Sequence, residues 1–104
     1  AEFLLHPNFG ALLANLASGY DLVLIDPPPI LAVSDAQIIG SHAGAVFILT
    51  RAGVTTETEI SDSINRLNLA GIAPQGILFN DVKVRSRTYN DYYYRPPLQL
   101  KNLA

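Results

Sequence analysis

Several stretches of the chain carry a regular pattern of apolar and polar positions. Phe9, Leu12, Leu13 and Leu16 stand at helical spacings, which predicts one apolar helix face. Pro7 suits the first turn of that helix and Gly19 the residue after its end. Leu22–Ile25 is instead an unbroken oily run, too short for a helix before Pro27, and predicts a strand buried on both faces. Ala45–Thr50 and Gly76–Asn80 predict two more strands of this kind. Ser34 is placed to cap a short helix running to about Ser41. Thr56 and Glu59, three apart ahead of the stripe Ile60, Ile64 and Leu67, form a capping box, and Gly71 closes that helix.

Helix and strand therefore alternate with short loops. That order predicts an α/β fold: a partial doubly wound parallel sheet of about three strands with about three helices on its faces, joined by right-handed crossovers. The periodicity stops after Asn80. Residues 1–80 are expected to form the folded part, and residues 81–104, DVKVRSRTYNDYYYRPPLQLKNLA, a mobile tail. In a three-stranded parallel sheet two strands are edges, and long oily edges invite further pairing. The expectation is a piece of a larger sheet, its C-terminal part, in preference to a chain that assembles with itself.

Composition sharpens this. A hydrophobic share of 49% over 104 residues supports one small domain and excludes a disordered chain. The chain has no Cys, which removes disulfides and thiolate metal sites and fits a cytosolic setting. No apolar run approaches the roughly 18 residues that cross a bilayer. AEFLLHPNFG has no basic segment ahead of its apolar residues and no Met, so neither a secretion signal nor a natural start is expected there. The net charge of −2 conceals an asymmetry: Arg51 and Arg66 face seven acids before residue 81 (−5), whereas five cations face Asp81 and Asp91 beyond it (+3).

Candidate chemistry gathers first at Asp26. In parallel α/β sheets ligands collect at the carboxyl ends of strands. A carboxylate there is costly to desolvate without a cation or donors, and Mg²⁺ carrying its own water is a natural partner. Four apolar residues and then Asp is the Walker B pattern of nucleotide-binding proteins. Pro27, Pro28 and Pro29 stiffen the chain just after it. Many parallel strands also end in an Asp that only caps the next turn, and these residues alone leave both readings open. No G-x-x-x-x-G-K-S/T loop occurs, and both lysines, Lys83 and Lys101, lie in the tail. His6 and His42 have no partner at ligand spacing and read as structural or exposed.

The tail holds Tyr89, Tyr92, Tyr93 and Tyr94 within YNDYYYRPP. Three adjacent tyrosines cannot all face one core, because side chains alternate along a strand. The plain alternative is an interfacial aromatic patch. As exposed phenols they suit phosphorylation, each phosphate adding about −1.5 to −2 charge, which would reverse the sign of the tail.

Taken together, YDLVLIDPPPILAVSDA, RAGVTTETEI, GILFND and the terminal Tyr cluster resemble the bacterial tyrosine autokinases of capsule and exopolysaccharide production. The resemblance runs from about Leu4 to Tyr94. It implies a P-loop NTPase-like catalytic domain of the deviant Walker class, using ATP and Mg²⁺ to phosphorylate its own C-terminal tyrosines between neighbouring copies of a ring. Further partners implied are a membrane activator domain or protein and a cognate phosphotyrosine phosphatase, with the parent at the cytoplasmic, inner face of the cell membrane. The family's Walker A and A′ motifs precede the region matched and its ring-forming helix motif is absent here, so this chain corresponds to the C-terminal part of the catalytic domain and is expected to be inactive alone. Asp26 then matches the Walker B acid near Mg²⁺, with Pro27 where the family usually has Thr. Asp35 matches a second acid, in AVSDA, that can equally support a helix N-terminus. Asn80 matches a position that contacts the adenine in related ATPases, or simply forms a turn. Arg51 ends the middle strand near the same edge and faces phosphates or solvent. Tyr89, Tyr92, Tyr93 and Tyr94 are the acceptors.

Two rival readings remain from the residues. A partitioning-type ATPase shares the fold but has no Tyr tail. A non-catalytic adaptor would use the basic, Tyr-rich tail to bind a partner. A nucleic-acid role is the weakest, since the body is acidic.

Overall fold

The computed structural model describes residues 2–83. Two helices open the chain, α1 (Glu2–Leu5) and α2 (Pro7–Gly19). His6 separates them, and its Nδ1 accepts the Asn8 amide at 3.1 Å, which caps α2 with Pro7 in its first turn. Gly19 is the last helical residue and not the one after the end, so α2 runs one residue longer than expected, and Tyr20 turns the chain into extended backbone. Phe9 anchors α2 by meeting the His42 ring edge-on, centroids 5.5 Å apart. α3 (Asp35–Gly40) follows Ser34. Ser34 does occupy the cap position, but its backbone is already helical and its hydroxyl makes no capping bond, so the expected side-chain cap is not formed.

The centre of the fold is the unit β1 (Phe47–Arg51), α4 (Glu57–Leu69) and β2 (Gly76–Asn80). The two strands pair in parallel, from Phe47 opposite Gly76 to Arg51 opposite Asn80. α4 begins with the predicted capping box: the Glu59 amide donates to Thr56 Oγ1 at 3.1 Å and the Thr56 amide to Glu59 Oε1 at 3.0 Å. Those bonds, the Thr56 backbone N–H first and its side chain second, hold the Glu59 carboxyl below the ordinary glutamate value. α4 ends in a Schellman motif: Gly71 takes φ +77°, the Ile72 amide donates to the Leu67 carbonyl and the Gly71 amide to the Asn68 carbonyl. On the inner stripe of α4, Leu67 is buried and Ile60 and Ile64 half-buried, with Ser63 buried beside them. They cover one face of β1, where the Thr50 side chain is fully buried and donates to the Leu78 carbonyl at 3.1 Å.

The expectation of three strands is corrected to two. Leu22–Pro27 carries no regular secondary structure, and the sheet among the described residues is β1–β2 alone. A strand exists by pairing, and an oily run states only that a segment suits burial. Here Leu22 and Leu24 are 73% and 85% exposed, and the run has no strand partner among the described residues. Among the described residues the helices number four, α1 being the one that the pattern did not predict. Phe47, Leu49 and Leu78, which alternate away from α4, form a bare apolar sheet face.

Candidate functional site

The carboxyl ends of the two strands bring Arg51 and Asn80 together as register partners. The turn that follows β1 is pinned at each step. The Ala52 amide donates to the Asn80 carbonyl at 2.9 Å, the Arg51 amide to Thr55 Oγ1 at 2.9 Å, and the Thr55 amide back to the Arg51 carbonyl at 2.9 Å. Gly53 supplies the positive φ, +74°, that this tight turn requires. Beyond β2, Asp81 takes the left-handed conformation, φ +57°, and its Oδ2 accepts Arg51 Nε at 3.0 Å. Arg51, Gly53, Val54, Asp81, Val82 and Lys83 line a cavity of about 380 Å³ over these tips.

Asp26 is exposed at the end of its oily run, just ahead of the three prolines. The chain then turns, the Ala32 amide donating to the Pro29 carbonyl at 3.0 Å, and α4 holds this turn through Arg66 Nη1, which donates to the Ile30 carbonyl at 2.9 Å. Gln37 Nε2 donates to the Arg66 carbonyl at 3.2 Å and ties α3 to the same helix. Asp35 is half-buried in the first turn of α3, where its charge suits the helix dipole.

The predicted residues thus fall into two groups. Arg51 and Asn80 meet. Asp26 and Asp35 share no hydrogen bond or ion pair with them, or with each other, among the described residues. Among the same residues no three His, Cys, Asp or Glu side chains cluster closely enough to hold a metal ion. Asp26 is therefore a single open carboxylate, which suits an ion that keeps most of its water. Tyr89, Tyr92, Tyr93 and Tyr94 lie outside the described residues. Thr55 and Asp81 were not singled out from the sequence. The adjacent threonines before the capping box and the Asp directly after a strand-ending Asn were the available signals.

In open α/β domains ligands gather at the carboxyl ends of parallel strands, the end at which this chain carries Arg51, Asn80 and Asp81. No family model matches the chain. It is 45% identical over 94 residues to tyrosine-protein kinase Wzc of Salmonella typhimurium, a match that covers 90% of this chain and 13% of Wzc. It superposes on the kinase domain of Escherichia coli tyrosine kinase ETK with a TM-score of 0.78 at 39% identity, covering 89% of this chain and 36% of that one. The BceF tyrosine kinase domain gives 0.71 at 48% identity, covering 79% and 34%. The chain belongs to the bacterial tyrosine-protein kinase family. It spans about an eighth of Wzc and about a third of the solved kinase domains.

Proposed function

We propose that this chain is the C-terminal part of the catalytic domain of a bacterial tyrosine autokinase with a P-loop NTPase-like fold. The parent transfers the γ-phosphoryl group of ATP to Tyr89, Tyr92, Tyr93 and Tyr94 of a neighbouring copy in a ring and thereby regulates capsule or exopolysaccharide synthesis or export. The observation that carries this is the kinase identity running through 90% of the chain. It does not favour the partitioning-ATPase and adaptor readings. The cavity at the strand tips, beside Arg51 and Asn80, suits the base end of a nucleotide; apart from it, Asp26, exposed at the end of its oily run, would face Mg²⁺ through water, with Asp35 as a second acid. Bound Mg²⁺ would supply neutralisation of phosphate charge. The chain itself provides one carboxylate, a polar rim and the acceptor phenols, and no phosphate-gripping loop occurs in its sequence. A membrane activator and a phosphotyrosine phosphatase belong to the same reading, as does a place at the cytoplasmic face of the membrane.

The test is incubation with Mg-ATP followed by phosphotyrosine mass spectrometry. The parent protein is expected to label its terminal tyrosines. This chain alone is expected to show none, and adding the preceding portion with its G-x-x-x-x-G-K-S/T loop is expected to restore labelling. Labelling by the chain alone, or a parent without that loop, would overturn the reading.

A further inference from the structure

We propose that Asp81 is a positioning residue of the nucleotide site, its carboxylate aiming the Arg51 guanidinium across the cavity mouth; this rests on the reading of the parent as an ATP-dependent kinase. Three observations lead there. The backbone of Arg51 is fixed by Thr55, whose hydroxyl accepts its amide and whose amide donates to its carbonyl, but that leaves a long side chain to be directed. Asp81 supplies the direction, with Oδ2 at 3.0 Å from Nε. A bond through Nε occupies one edge of the fork and leaves donors on the terminal nitrogens for whatever enters the cavity that Arg51 lines.

The backbone of Asp81 is the second observation. A non-glycine residue at φ +57° is uncommon and persists where its surroundings hold it. An extended residue at this position would carry the chain onward along β2. The left-handed turn swings the carboxylate back toward β1, directly after Asn80, the register partner of Arg51. One residue thus ends the strand behind Asn80 and steers Arg51.

Third, the pair does little for stability. Its side chains are 64% and 43% exposed, and ion pairs so exposed stabilise weakly because water and salt screen them. The pair lines a cavity of about 380 Å³ at the strand tips, so its geometry has something to act on.

The experiment uses the parent kinase and two variants that both tolerate the left-handed backbone. Asp81→Asn keeps the shape and removes the charge; Asp81→Gly removes the side chain. Both are expected to raise the KM for ATP about fivefold, with Asp81→Gly at least as affected, while kcat and the melting midpoint stay close to those of the parent. A fluorescent ATP analogue should weaken by the same factor in direct binding. An unchanged or lowered KM in both variants overturns the role of Asp81 and leaves the kinase reading standing. A parent that binds no ATP overturns both. A fall in kcat at unchanged KM also overturns this proposal, since it would place Asp81 in the chemistry.

Discussion

Gln75 clasps Val46 from two sides: its amide donates to the Val46 carbonyl at 2.8 Å, and its side-chain Oε1 accepts the Val46 amide at 2.7 Å. Val46 and Gln75 directly precede the first register pair, Phe47 and Gly76, so these two hydrogen bonds set the alignment that places Arg51 opposite Asn80 four residues later. Removing the side-chain half by Gln75→Ala is expected to cost about 1 kcal/mol, the usual net value of one such bond. The melting midpoint of the parent's kinase domain measures it. The backbone half survives, so the register and ATP binding should be retained.

Gly71→Ala tests the end of α4. A Cβ there meets nothing within 4 Å, so the cost is conformational and follows from φ +77° alone. A loss of about 1 kcal/mol in urea unfolding is expected. Gly40→Ala provides the contrast, since its Cβ would stand 3.0 Å from Ile72 Cδ1 with an ordinary backbone. A Gly71→Ala protein as stable as its parent would contradict the Schellman assignment.

The capping box makes a prediction with a pH sign. Thr56→Ala is expected to cost about 1 kcal/mol by leaving the first turn of α4 uncapped. Glu59 is a carboxyl whose folded value lies below its unfolded one, so its contribution is present above the ordinary glutamate value and disappears as pH falls through the lowered one. The stability gap between the parent domain and its Glu59→Gln variant should therefore be full near neutral pH and shrink under acid. A gap that grew on acidification would reverse the assignment.

Asp26→Asn in the parent kinase is expected to lower kcat at least about a hundredfold, the scale of losing a group that stabilises transition-state charge. Because Asp26 is exposed, the melting midpoint without ligand should hold. Autophosphorylation rates with and without added Mg²⁺ check the effect. Full activity would remove Asp26 from the site.

What could be read in advance depended on how local the cause was. The Thr56–Glu59 box and the Gly71 end are written within a few residues of themselves, and both formed as expected. The strands predicted at Ala45–Thr50 and Gly76–Asn80 also formed, the first as Phe47–Arg51, and their meeting placed Arg51 beside Asn80. Leu22–Ile25 failed as a strand because pairing is a property of two segments, and an oily pattern names only one. Asp81 escaped notice for the same reason: its partner lies 30 residues away, and its left-handed backbone has no signature beyond being an Asp. Ser34 shows the opposite limit, a residue of the right type in the right place whose backbone angles leave its hydroxyl unused.

The bare side of the sheet has a practical corollary. Phe47, Leu49 and Leu78 present more than half of their surface to water, side by side. A host cell asked to make only this stretch would be producing something adhesive, prone to inclusion bodies and to capture by chaperones. Co-expression with the preceding portion of the polypeptide is the sensible route to usable material, and the yield recovered that way would itself report whether that portion seats on these three side chains.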